Sequence, residues 1–66
     1  MSNVSSNEVI ALLSYMIDHN KHHEEELSEL TESMSDEAAK LVREALRDFK
    51  FGNELLGKAL SILQNS

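Results

Sequence analysis

Apolar residues recur along the first half of the chain at alternating steps of four and three positions. A repeat of this period lies along one side of an α-helix and is typical of helices that pack against one another. Ahead of the repeat, Ser5 and Glu8 have the spacing of a capping box, in which each side chain satisfies a backbone N–H of the first turn. We therefore predict a first helix over about residues 6–33. Its stripe consists of Val9, Leu13, Met16, Asn20, His23, Leu27, Leu30 and Met34.

A second stripe has the same period but is out of phase with the first. Ser35 followed by Asp36 is a good N-cap with an acid in the first turn, where the helix dipole favours negative charge. The sequence thus predicts a turn at about residues 33–35 and a second helix over about 36–63. A break at Gly52–Asn53 is the alternative, but the stripe keeps its phase there and favours a continuous helix. The second stripe consists of Ala38, Val42, Ala45, Phe49, Gly52, Leu56, Ala59 and Leu63.

A short turn makes the two helices antiparallel neighbours, so we predict an all-α fold, an antiparallel two-helix hairpin that forms one domain. The numbers of facing residues should add up to about 70, which places Asn20 near Phe49 and His23 near Leu46. Further apolar residues flank both stripes, so each apolar surface is wider than one partner helix covers. Two hairpins packed as a four-helix bundle would cover both surfaces, and a homodimer is the simplest closed arrangement. The flanking residues are Ile10, Ile17, Leu41, Leu55 and Ile62.

The composition agrees with long helices whose core is completed by a partner. The 66 residues include no Pro and no Cys. A core of this size supplies about 3–5 kcal/mol at most, and without Cys neither disulfides nor thiolate metal sites add to it. No apolar run reaches the roughly 20 residues of a membrane span. The N-terminus lacks the pattern of a signal peptide, so we expect a cytoplasmic protein without membrane contact.

The whole chain has a net charge of −6, and its acidic residues are concentrated in the first half. Seven of the twelve acids but one of the six bases precede Ser35, whereas the five acids and five bases that follow cancel. This asymmetry favours attraction between the two halves, or attraction of a cation to the first.

The segment His19–Glu26 contains the most distinctive chemistry in the sequence. At about 100° per residue, His19, His23 and Glu26 lie within about 60° of one another on the first helix. Two His at i and i+4 can chelate a divalent transition metal such as nickel, cobalt or zinc, and a carboxylate one turn later can be a third ligand. Glu44 or Asp48 of the second helix, or a second chain, would complete the shell.

A buried polar layer is the alternative interpretation of the same segment. A His within an apolar stripe is commonly a hydrogen-bonded core residue, and Asn20, His23 and Asn53 could together fix the register and the number of chains. Under this interpretation the run of Glu residues is a solvated surface.

The stretch Tyr15–Leu27, followed by Phe49 and Gly52–Glu54, resembles a family of small uncharacterised prokaryotic helical proteins. These share a His-Asn-x-x-His segment on the first helix and an Ala/Gly-Asn-Glu segment on the second. The resemblance spans most of the chain and implies no established activity. It marks five positions for testing: His19, Asn20, His23, Asn53 and Glu54.

The second helix carries a basic stripe with an exposed aromatic residue. If Phe49 lies at the centre of the buried face, the bases lie opposite it and could dock an acidic protein, whereas the overall acidity makes RNA a less favoured partner. The residues concerned are Arg43, Arg47, Lys50, Phe51 and Lys58. No nucleophile constellation or phosphate-binding loop is present and the chain is too short to enclose a pocket, so we do not expect an enzyme.

Overall fold

The computed structural model describes residues 6–65, and within them the chain folds as two long helices joined by a tight connection. Helix α1 spans Ser6–Leu30, a 3₁₀ turn follows at Thr31–Ser33, and helix α2 spans Asp36–Gln64. The helices pack against each other, so the predicted all-α hairpin is confirmed. The predicted capping residue Ser5 lies outside the described residues.

Polar side chains of the connection set where the chain reverses. The Thr31 hydroxyl donates to the Ser28 carbonyl at 2.5 Å, and the Met34 N–H donates to the Thr31 carbonyl at 3.3 Å. Met34 is extended, which ends the helical backbone. Ser35 is the N-cap of α2, since its hydroxyl accepts from the Ala38 N–H at 3.3 Å. These bonds satisfy backbone groups that helix ends leave without partners.

Helix α2 runs without interruption through Gly52, as its continuous stripe predicted. Neither glycine has a positive φ, and a Cβ built on Gly52 or Gly57 meets no atom within 4 Å. The two glycines therefore leave open space on the helix surface at two positions.

The seam between the helices is formed by residues at intervals of seven. Ile17, Glu24 and Thr31 are buried on one arm of the hairpin, and Ala39, Leu46 and Asn53 on the other. Asn20 faces Asn53, about one helical turn beyond the predicted neighbour Phe49. A seven-residue spacing keeps one line of side chains at the contact between two coiled helices.

The predicted stripes are not the seam, and this part of the sequence prediction was wrong. Val9, Met16 and Leu30 of the first stripe are exposed, and Phe49, placed by prediction at the centre of the buried face, is 48% exposed. At about 100° per residue, the seam is rotated from the centre of the stripe by about 70° on α1 and by about 90° on α2. The hairpin contact thus uses one edge of each apolar surface and leaves the rest uncovered.

Candidate functional site: the apolar face and the histidine pair

One side of the hairpin is an uncovered apolar surface, here called the apolar face. It consists of the exposed and half-buried residues of the two predicted stripes on α1 and α2. Along its middle runs an open groove of about 610 Å³. The groove is lined by Asn20, Ala45, Asp48, Phe49, Gly52, Asn53 and Leu56.

Small and large side chains alternate along this face of α2. Ala45, Gly52 and Ala59 follow one another at intervals of seven, and Ala45 and Gly52 line the groove. Beside them, Phe49 and Leu56 form a wall and remain 48% and 36% exposed. Alternation of this kind is how packed helices interdigitate. The face therefore has the relief of a helix-packing surface.

A polar pair crosses the seam beneath the groove. The Asn20 amide donates from Nδ2 to Asn53 Oδ1 at 3.2 Å, and Asn53 Nδ2 donates to the Ile17 carbonyl at 3.2 Å. Asn53 is only 7% exposed, so these bonds satisfy a buried amide. The layer that sequence analysis proposed therefore contains both asparagines, whereas His23 is exposed and lies outside it.

Two histidines meet on the edge of the apolar face. His19 Nε2 and His23 Nε2 are 2.9 Å apart, and their rings are nearly perpendicular, with an interplanar angle of 84°. Tyr15 stacks on the other side of His19, with ring centroids 5.6 Å apart. The i, i+4 spacing on α1 brings the two rings together, and the Tyr15 ring one turn earlier supports His19.

The hydrogen-bond partners of His23 indicate which of its two ring nitrogens carries the proton. His23 Nδ1 lies 3.1 Å from Glu26 Oε1, and a carboxylate only accepts, so Nδ1 carries a proton. When His23 is neutral, its Nε2 is then a bare acceptor for the His19 Nε2–H. Glu26 also lies 3.8 Å from His22 Nε2. Glu26 thus sits behind His23, on the ring nitrogen away from His19.

Within residues 6–65 of one chain, no three His or acidic side chains form a group that could hold a metal ion. The two Nε2 atoms share a hydrogen bond of 2.9 Å, whereas the Glu26 carboxylate bonds the opposite side of the His23 ring. Asp48 lines the groove of the apolar face, and Glu44 lines a separate shallow groove on α2. The arrangement therefore brings two imidazole nitrogens together, with the Glu26 carboxylate bonded to the far side of one ring.

A family model described as a domain of unknown function, DUF8180, matches residues 9–63. The chain belongs to the DUF8180 family. The matched segment includes both helices, the apolar face and the histidine pair. No curated protein and no solved structure matches the sequence. No helix in residues 6–65 of the DUF8180 chain is long and apolar enough to cross a membrane.

The side of the DUF8180 hairpin opposite the apolar face is charged. Its crevice, of about 540 Å³, contains Lys21 and several acids of α1 together with Lys50 of α2. With Leu46 and Asn53 at the seam, the basic stripe of α2 lies about 100° from the seam and not opposite it. Among residues 9–65, no lysine or arginine forms an ion pair with a carboxylate. The predicted basic residues are therefore exposed beside the acidic side of α1.

One residue that sequence reasoning missed is Glu24. It is 8% exposed in the seam of the DUF8180 hairpin, and its Oε2 has no hydrogen-bond partner. Because Glu24 belongs to a run of three glutamates, the sequence alone predicted that it is exposed to solvent. The available signal was its spacing of seven residues from Ile17, which places the two side chains on one line of the helix.

Proposed function

We propose that the chain is a homo-oligomeric helical interaction module in which two hairpins associate through their apolar faces into a four-helix bundle. The observation that carries this proposal is the small core of the single hairpin. Its buried apolar residues in the described segment are Ile17, Ala39 and Leu46. Many large apolar side chains stay exposed instead, among them Phe49, Leu56 and Leu63.

The exposed area of the chain is larger than that of a compact monomer of its mass. The chain exposes 5424 Å², whereas a compact monomer of 7.4 kDa would expose about 4,200 Å². The excess of roughly 1,200 Å² is in the range that each partner of a stable dimer buries. The radius of gyration leads to the same conclusion, since 15.3 Å far exceeds the roughly 11 Å of a compact 66-residue domain and is close to the roughly 14 Å of two such chains together.

The sequence pattern favours a second copy of the chain as the occupant of the apolar face. In a four-helix bundle each helix contacts two neighbours, and its apolar stripe points between them. The stripes of this chain are rotated by about 70–90° from the seam, toward the apolar face. None of the residues in the two stripes is Asp, Glu, Lys or Arg. Asp48 is the one charged residue that lines the groove. A face that is otherwise apolar, with both a groove and large side chains, matches the same face of another hairpin, as two-fold symmetry requires.

The two glycines provide a matched test of this proposal. Gly52 lies in the groove of the apolar face, whereas Gly57 lines a smaller crevice that adjoins the charged crevice. Because both have open space around the added Cβ, we expect Gly57→Leu to stabilise the helix by about 0.8 kcal/mol. Gly52→Leu fills the groove, and we expect it to weaken dimerisation at least tenfold, or about 1.4 kcal/mol. Sedimentation equilibrium across a dilution series measures both affinities.

The parent protein supplies the reference in the same experiment. A dimer, or a tetramer built from such dimers, supports the proposal. A parent protein that stays monomeric at high concentration contradicts it, as would equal dimer affinities for the Gly52 and Gly57 variants.

A further inference from the structure

We propose that His19 and His23 form a chelating site for a divalent transition metal that prefers ligands at right angles, Ni²⁺ or Cu²⁺, with both Nε2 atoms as donors. The site needs only α1. Water, or donors from a second copy, fills the remaining positions of the metal. The proposal therefore does not depend on whether the hairpin dimerises.

The separation of the two nitrogens selects the class of metal. At a metal–nitrogen distance of about 2.0–2.1 Å, two ligands at 90° are about 2.9 Å apart, whereas two ligands at the tetrahedral angle are about 3.4 Å apart. The Nε2 atoms of His19 and His23 are 2.9 Å apart. In the metal-free chain this separation is that of a hydrogen bond between the rings. An ion that replaces the shared proton finds the nitrogens at the separation of adjacent ligands in a square-planar or octahedral site, whereas tetrahedral zinc requires them to move apart by about 0.5 Å.

Glu26 is the positioning residue of this site. Its carboxylate accepts from His23 Nδ1 at 3.1 Å, so the proton of His23 is held on the nitrogen that faces away from the metal position. A carboxylate behind a ligating His orients the ring and raises its basicity. Metal binding then requires only that His19 move its proton from Nε2 to Nδ1, which leaves both converging nitrogens free to donate.

The surroundings of the pair suit a hydrated cation. The His23 side chain is 53% exposed, so an ion reaches it from solvent without any rearrangement of the fold. The acids of α1 outnumber its single base, Lys21, and give the helix a negative field that attracts cations. Tyr15 stacked on His19 limits the motion of that ring. The pair is therefore accessible, partly preorganised and electrostatically favoured.

The test uses tag-free, metal-stripped protein titrated with NiCl₂, CuCl₂ and ZnCl₂ and followed by isothermal calorimetry and native mass spectrometry. We expect one ion for each His pair, or one shared by two pairs in a dimer, with Ni²⁺ bound more tightly than Zn²⁺. His19→Ala/His23→Ala should lose binding. Glu26→Gln should weaken it about tenfold, as changes behind a metal ligand do.

His22→Ala is the matched control, because His22 also lies near Glu26 but its position is about 60° around the helix from that of His19 and about 100° from that of His23. Its Ni²⁺ affinity should stay within twofold of the parent value, and circular dichroism should show unchanged helicity for each variant. The proposal is overturned if the parent protein binds no Ni²⁺ or Cu²⁺, if Zn²⁺ binds more tightly than Ni²⁺, or if His22→Ala loses as much affinity as the double variant.

Discussion

Leu56→Lys is expected to convert the protein into monomers and to lower its melting temperature. Leu56 is a wall of the apolar groove, and burying a leucine stabilises an interface by about 2 kcal/mol. Two-fold symmetry doubles the loss to about 4 kcal/mol per dimer, which corresponds to a roughly thousandfold weaker association. Each lysine ammonium group would in addition have to leave water. Analytical ultracentrifugation measures the association, and circular dichroism follows the melting.

Phe51→Lys is the control, because it also replaces a large apolar side chain of α2 with lysine. Phe51 is 62% exposed and lies about 140° around the helix from Leu56, away from the apolar face. We expect this variant to remain a dimer with a nearly unchanged melting temperature. If both lysine variants stay dimeric, the apolar face is not the interface, and the proposed module would have to assemble through another surface.

Glu24→Leu is expected to raise the free energy of unfolding by about 1–3 kcal/mol, because it removes a buried polar atom that has no partner. Glu24 Oε2 is shielded from solvent without a hydrogen bond. Leu46 lines the same crevice, and Ile17 lines the adjoining one, so a leucine at position 24 finds apolar neighbours. Urea unfolding at a fixed protein concentration measures the change, since dimerisation makes stability depend on concentration.

Glu25→Leu tests whether burial is the cause of this effect. Glu25 has the same chemistry one residue later but is exposed, and we expect its replacement to change the free energy of unfolding by less than about 0.5 kcal/mol. A loss of stability in Glu24→Leu would contradict our account. It would indicate that the carboxylate is stabilised at longer range by Lys21 and Lys50, which line the same crevice.

The sequence by itself determined the secondary structure and the topology. The two repeats of apolar positions, the N-cap at Ser35 and the phase change between the repeats are local signals, and the observed helices follow them within about three residues. The continuity of α2 through Gly52 followed in the same way, because the repeat on either side of this glycine keeps one phase. The spacing of His19 and His23 likewise placed two rings together, since four residues make about one helical turn.

Only the tertiary structure decided which part of each apolar surface forms the hairpin. A stripe records every neighbour that a helix has, so its centre points between two neighbours and does not identify the one within the same chain. The shift of the seam to Leu46 and Asn53 buried Glu24, exposed Phe49 and moved the basic residues of α2 to the side of the acids of α1. The roles of Glu26 and Asn53 also needed coordinates, because a hydrogen bond depends on distances of a few tenths of an ångström that residue spacing does not specify.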